Sequence, residues 1–203
     1  GAAIAFELQR RGRRTLLVER GEIGDGTAVG SMASIAVTEF LPSSRPSVWK
    51  QIPGWLADPE GPIRLRPGYM PKLAPWMMRF VAAGMPSRVR ELEAAGAVLC
   101  QRVYDDLLPM LDAAGLEDAL TQEGCLSLYA DDAEFKSDRD HIAVLERFGF
   151  PHQLLDGKAL RELEPEIAPV IGRAVLFPQN RSVRDTRKLV VGLVDAFKQL
   201  GGE

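Results

Sequence analysis

The sequence predicts a mixed fold, α/β plus α+β: part of a Rossmann-like βαβ dinucleotide-binding domain that carries an inserted substrate or cap domain. Three observations predict it. The first twenty residues read helix, glycine, short apolar run, carboxylate. After Ile35 that alternation gives way to sequence rich in proline and tryptophan, and a strongly periodic helical segment closes the chain.

The opening helix spans Gly1 to Arg11, GAAIAFELQRR. Ile4 and Leu8 stack one above the other, Ala2, Ala5 and Phe6 widen the apolar face, and Glu7, Gln9 and Arg10 lie opposite. Gly12 supplies a left-handed C-cap. Thr15, Leu16, Leu17 and Val18 then form a short apolar run, the signature of a parallel strand covered by helices on both faces, and Glu19 ends it.

The loop from Gly21 to Ser34, GEIGDGTAVGSMAS, is built of glycine and small residues, so its backbone can approach a ligand that larger side chains would keep away. From Pro42 to Trp76 the prolines and tryptophans imply turns and short helices. Met77 to Ala83 and Pro86 to Ala114 read as helices, with Gly115 as the stop. Strands are expected at Gly124 to Ala130, His152 to Leu155 and Ala174 to Phe177, and a helix at Asp138 to Phe148. Asp156 caps a helix over Lys158 to Leu163 that Pro165 stops, and Asp185 opens the last helix, which runs to Leu200.

Composition excludes several classes. A formal net charge of −3 does not suit a nucleic-acid surface, and the densest basic run, Arg181, Arg184, Arg187 and Lys188, reads as a solvated face with an anion site as the alternative. Cys100, Cys125, His141 and His152 are too few and too scattered for a disulfide framework or a zinc site, so no metal is expected and the thiols read as buried. The most apolar stretch, Leu73 to Met85, is broken by Pro75 and Arg79 and falls well short of the roughly 20 residues of a spanning helix. Ser31 lacks the setting of a hydrolase nucleophile, and no Walker lysine follows a glycine loop. The first residue already sits in a helical pattern, so the sequence reads as cut at both ends.

In the dinucleotide fingerprint the third glycine stands at the helix start, and an acid at the end of the second strand accepts hydrogen bonds from ribose hydroxyls. Gly1 and Glu19 hold those two places. A carboxylate there repels the extra phosphate of NADP and suits the ribose of NAD or FAD. A nicotinamide enzyme would continue with further βα units, whereas this chain enters a small-residue loop and a proline-rich insertion, which favours FAD.

Two segments make a resemblance specific. GAAIAFELQRRGRRTLLVER followed by GTAVGSMASIA is similar to the opening of the FAD-dependent D-amino-acid oxidase superfamily, and within it to the bacterial D-amino-acid dehydrogenases. That branch shows Gly-Thr-Ser-x-Gly-Asn-Ala-Gly where this chain has Gly26 to Ala33; Gly26, Thr27 and Gly30 match, while Ala28, Ser31, Met32 and Ala33 depart. The similarity continues through Asp58 to Gly84, through Leu160 to Pro169, and through Leu176 to Pro178 with Asp185 and Leu189.

The resemblance implies a partial FAD-binding domain over residues 1–40, a substrate or cap domain portion over 41–180 and a return helix over 181–203. It implies cofactor contacts from Gly1, Glu19, Arg20, Gly26, Thr27, Ala28, Gly30, Ser31, Met32 and Ala33. The implied reaction is oxidative deamination of a D-amino acid, with the substrate groups lying mostly beyond Glu203, so no catalytic residue is named and this stretch alone is expected to bind FAD poorly. A sarcosine- or glycine-type amine oxidase using oxygen, or a non-enzymatic fragment, remains the alternative. A dehydrogenase also needs a quinone-reducing or other electron-transfer partner, and a cytoplasmic location, peripheral on the inner membrane face, fits that need. Arg64, Arg66 and Tyr69 are candidates for a substrate carboxylate or for interdomain pairs. Trp76, Met77, Met78, Phe80 and Val81 form either core or an apolar docking patch.

Overall fold

The computed structural model describes residues 1–61, 63–64 and 66–203, with backbone alone at Ser47 and Lys50. In chain order the elements are α1 (Ala2–Arg10), β1 (Ser34–Ile35), α2 (Pro46–Ala57), α3 (Met70–Ala83), α4 (Pro86–Gln101), α5 (Val103–Ala113), β2 (Cys125–Tyr129), α6 (Asp132–Ser137), α7 (Arg139–Arg147), β3 (Gln153–Asp156), α8 (Gly157–Leu163), β4 (Arg173–Phe177), β5 (Arg181–Ser182) and α9 (Thr186–Gln199). They form two compact units, one of residues 1–38 with 101–203 and one of residues 39–100.

In the first unit α1 packs on α9. Ala5 and Phe6 of α1 bury against Leu193, Ala196 and Phe197 of α9, with Leu17 and Leu189 against the same cluster. Full burial of a phenylalanine contributes about 1.5–3 kcal/mol, so Phe6 and Phe197 are the main anchors of the pair. Gly12 adopts φ +73°, the Arg13 amide bonds the Leu8 carbonyl and the Gly12 amide that of Gln9. This is the expected left-handed helix stop. Ile4 and Leu8, expected on the buried face, are instead 67% and 42% exposed and line an apolar depression with Val103, Leu107 and Met110.

The run Thr15–Val18 also corrects its expectation. It is extended but belongs to no sheet: Leu17 donates to the Glu203 carbonyl at 2.7 Å, and Glu203 donates to that of Thr15 at 3.3 Å. One residue bracketed this way by two partners is the pattern of a parallel ladder. Only Leu17 faces the helices; Leu16 and Val18 are 70% and 80% exposed, so the run is not covered on both faces.

The expected strands at 124–130, 152–155 and 174–177 form as β2, β3 and β4, joined in the order β2-β4-β3 with both pairings antiparallel. β4 is central, which is why Ala174, Val175 and Phe177 are all buried. Asp156 caps α8 by accepting from the Lys158 and Ala159 amides, and Asp185 caps α9 by accepting from Lys188. β1 pairs antiparallel with β5, Ser34 against Ser182 and Ile35 against Arg181.

A buried polar cluster ties these pieces together. Thr38, fully buried, donates its amide to Asn180 Oδ1, accepts from Asn180 Nδ2 at its hydroxyl, and lies with its carbonyl 2.9 Å from His141 Nε2. Tyr129 donates to Asp138 at 2.6 Å, and the His141 Nδ1 is 3.4 Å from the same carboxylate.

The second unit contains α2, α3 and α4. Proline at the first turn starts both α2 and α4, since its missing N–H is unpaired there in any helix. Val89, Glu93 and Ala97, four residues apart, form the buried stripe of α4. Gly84 follows α3 where the backbone is crowded by the Ser44 carbonyl and the Trp49 ring, leaving no room for a side chain. α3 itself has no buried residue.

Candidate functional site

The sequence-predicted cofactor residues fall in three places, all in the first unit. At the start of α1, Gly1 is the N-cap and the first intrahelical bond runs from the Ala5 amide to the Gly1 carbonyl at 3.0 Å. The amides before Ala5 therefore have no intrahelical partner, and the first turn holds no acidic side chain. The small side chains of Ala2 and Ala3 leave this positive end of the helix dipole uncluttered, a suitable seat for a pyrophosphate. Leu17 closes the seat from below, with its Cδ1 3.6 Å from where a Gly1 Cβ would stand.

The second place is Glu19 to Gly21. Glu19 Oε1 accepts from the backbone amides of Arg20 at 2.6 Å and Gly21 at 3.1 Å. Those two bonds, Gly21 first, hold its carboxyl below the usual value although it is fully exposed. Glu19 is thus an ionised acceptor whose Oε2 stays open for a hydroxyl. The Arg20 side chain is exposed.

The third place is the small-residue loop. It is a chain of tight turns: Val29 donates to Gly26, Ser31 donates to Ala28 from both its amide and its hydroxyl, and Ala33 donates to the Ser31 hydroxyl. Gly26 and Gly30 have open space where a side chain would stand, Thr27 is exposed, and Met32 is 92% exposed. Ala33 has φ +60°, the left-handed region that an L-residue enters at a cost of about 1–2 kcal/mol.

Both ends of this loop are tethered through contacts that sequence reasoning did not foresee, one of them made by Arg187 of the basic run. At one end Asp25 meets the Arg187 guanidinium at 2.5 Å, and Gly24, at φ +89°, lies against Arg187 and Val191 of α9. At the other end Val183 donates to the Ala33 carbonyl at 2.7 Å, continuing the pairing of β1 with β5. The same α9 that packs on α1 therefore also holds the loop. Among the described residues, no hydrogen bond joins Glu19 through Gly21 to 26–33 directly.

The basic run does not form one face. Arg181 stacks on the Tyr104 ring at 4.6 Å, Arg187 is paired with Asp25, and Lys188 reaches Asp185 at 3.7 Å. Burial pushes the Tyr104 hydroxyl up, and it donates to the Ile35 carbonyl at 3.4 Å. Cys100 and Cys125 are free and half-buried, where full burial was expected. Among the described residues no group of His, Cys, Asp and Glu is placed to hold a metal, and no helix is long and apolar enough to cross a membrane. In the second unit, Arg64, Arg66 and Tyr69 do come together, lining a cavity of about 310 Å³ with Met70 and Leu73.

A helix end with open amides, an ionised acceptor one strand away and an uncrowded glycine loop fit the anionic and ribose portions of a dinucleotide. Comparison with known proteins agrees in kind. The family profile described as FAD dependent oxidoreductase matches residues 1–203. A D-amino-acid oxidase from Bradyrhizobium diazoefficiens is 25% identical over 200 residues, covering 96% of this chain and 47% of that protein. A D-amino acid dehydrogenase 2 from Ralstonia nicotianae is 29% identical over 199 residues, covering 95% of this chain and 46% of that protein. Among solved structures, a glycine oxidase from Geobacillus kaustophilus superposes on the whole chain with a TM-score of 0.60 at 20% identity, over 42% of its own length. An L-proline dehydrogenase from P. horikoshii does so with a TM-score of 0.57 at 17% identity, over 40%. The chain spans about half the length of the curated relatives it matches.

Proposed function

This chain belongs to the FAD dependent oxidoreductase family, and from that premise we propose that it forms the first half of an enzyme that oxidatively deaminates D-amino acids to 2-oxo acids. FAD, when bound, supplies the acceptor for a hydride leaving the amino-acid α-carbon, and water then hydrolyses the product imine. The chain's own residues bind and orient. The open amides at the start of α1, behind Gly1, hold the pyrophosphate; Glu19 takes hydrogen bonds from the ribose hydroxyls and turns away a 2′-phosphate. Arg20, Gly26, Thr27, Ala28, Gly30, Ser31, Met32 and Ala33 line the path of the cofactor, with the loop amides not used in its own turns and the Thr27 hydroxyl as the polar contacts, while the Ser31 hydroxyl holds the loop's shape.

The observation that carries this reading is the pairing of that uncluttered helix end with an ionised Glu19 whose Oε2 is open. The division of labour we propose is cofactor binding by 1–40, substrate capping by 41–180 and a return to the cofactor domain by 181–203. The D-amino-acid preference rests on the two curated relatives, both named for D-amino acids. Electrons would pass to a quinone or another electron-transfer partner, from a cytoplasmic position peripheral on the inner membrane face.

The test is product analysis on the intact protein with an artificial dye as acceptor. D-amino acids should give 2-oxo acid and reduced dye with little peroxide. Peroxide in step with turnover of glycine or sarcosine would replace this reading with an amine oxidase; one structural neighbour is named a glycine oxidase.

A further inference from the structure

We propose that His141 is a proton-operated latch on the small-residue loop: as an imidazolium it fastens the β1–β5 ribbon that ends the loop, and on losing a proton in alkaline solution it lets go. This rests on the cofactor reading above for what the loop binds, and stands apart from it for the latch itself. His141 is buried, with 6% of its side chain exposed, and both ring nitrogens face acceptors. Nε2 lies 2.9 Å from the Thr38 carbonyl, which can only accept. Nδ1 lies 3.4 Å from either oxygen of Asp138. A neutral imidazole has one N–H and serves one of the two; the imidazolium serves both.

Asp138 is fit to be the counter-ion. Its side chain keeps 26% exposure and Tyr129 donates to it at 2.6 Å, two features that favour the ionised carboxylate. Burial alone would expel the ring proton, but the carboxylate and the carbonyl both touch the ring and hold it. The other titratable groups on the surrounding elements do not reverse this. Arg173 of β4 is engaged by Asp132 at 2.7 Å, and Cys125 stands at the other end of β2 from Tyr129. On α7 itself Arg139, Asp140, Glu146 and Arg147 are exposed, where water screens them, and Glu39, next in sequence to Thr38, is a further acid.

What the latch holds follows from where Thr38 stands. Thr38 lies just beyond β1, and Asn180, which it bonds twice, lies just before β5. β1 and β5 pair through Ser34 with Ser182 and Ile35 with Arg181, and Val183 carries the pairing on to the Ala33 carbonyl. His141 therefore grips one end of a short ribbon whose other end is the loop. Two paired positions have little stability of their own, so the grip at Thr38 decides how firmly Ala33 is held. When Nδ1 gives up its proton to solvent, its lone pair faces the ionised Asp138 with no hydrogen between them. The ring is pushed off, and Nε2 leaves the buried Thr38 carbonyl without a partner.

The test uses the intact protein. NMR of the imidazole nitrogens, with His141 identified by the signal missing from H141Q, should show both nitrogens protonated at pH 7 and a titration above the ordinary value of about 6.5. A value raised on folding means that the latch is complete below the unfolded value and is lost as pH rises through the folded one. Amide exchange over residues 26–38, read without FAD and corrected for its intrinsic pH dependence, should lose about tenfold in protection through that titration, the size of one hydrogen bond to a charged group. FAD affinity, followed by flavin fluorescence, should fall with it. In D138N the titration and the loss of protection should both move down toward 6.5. If H141Q does not fold, His141 is identified as the signal that D138N displaces, and the wild-type titration decides. A ring that is neutral at pH 7 overturns the proposal, as does a high titration that leaves the exchange of 26–38 unchanged. A D138N protein that titrates like the wild type overturns it too. A latch that titrates as described in a protein that binds no FAD at any pH would sink the cofactor reading and leave the latch intact.

Discussion

Arg187 and Asp25 meet at 2.5 Å across 162 positions of sequence, and through this pair the helix that packs on α1 also fixes the entrance of the small-residue loop. The Asp25 side chain raises the pKa of Arg187, first through the hydrogen bond and then through its charge. Both side chains are about half exposed, so the pair positions the loop and does little for global stability.

Asp25→Asn should therefore weaken FAD binding several-fold in the intact protein and leave the melting temperature within a degree or two of wild type. Fluorescence titration of the apoprotein and a thermal scan check both halves. A large drop in melting temperature with unchanged affinity would show that the pair serves stability instead of the loop.

Glu19 makes a pH prediction. Its carboxyl is held below the ordinary 4.5 by the Gly21 and Arg20 amides, so it stays ionised through the neutral range. A depressed pKa means that its contribution is complete above the unfolded value and is lost as pH falls through the folded one. As far as this group decides, FAD retention should be flat from pH 8 to about 5 and decline only below 4.5. Glu19→Ala should raise the dissociation constant on the order of tenfold, since a hydrogen bond to a charged acceptor is among the stronger ones. A decline centred near pH 6.5 would assign the effect to a histidine.

Ala33 sits at φ +60°. Ala33→Gly removes about 1–2 kcal/mol of left-handed strain and gives back about 0.4–1 kcal/mol through the freer unfolded chain. A net gain of roughly 0.5–1 kcal/mol should appear in urea denaturation, provided the intact protein unfolds in one step. Destabilisation instead would mean that the alanine methyl packs productively.

Asn180 bonds Thr38 twice, at the amide and at the hydroxyl, and both residues are buried. Asn180→Ala leaves those groups without a partner and should cost about 1–3 kcal/mol in the same experiment. A cost near zero would indicate that water enters and satisfies Thr38.

Much of this was legible in the sequence because its signals are local. Asp156 and Asp185 cap the helices they were expected to cap, and Gly12 stops α1 in the expected conformation. The three strands around Leu126, Leu154 and Val175 were readable from alternation in the first and short apolar runs in the others, but neither signal carries a pairing partner, so the order β2-β4-β3 was not. The stretch holding α2 and the first half of α3 read only as turns and short helices, because prolines break the pattern there: Pro46 and Pro71 sit in a first helical turn, where proline is at home, while Pro75 stands inside α3. Ile4, Leu8, Leu16 and Val18 show the opposite failure: apolar pattern predicts burial, and they are exposed. Of the site, Gly1, Glu19 and the glycines of 26–33 were visible as types at a spacing, while Asp25 with Arg187 had no sequence signal, being two exposed charges far apart in the chain.

The most direct test of the central claim is the visible absorption spectrum of the intact protein before and after anaerobic addition of D-amino acids. The account predicts a flavin band that bleaches with D- and not with L-amino acids. A protein without a flavin band, or one whose band is indifferent to D-amino acids, would contradict it.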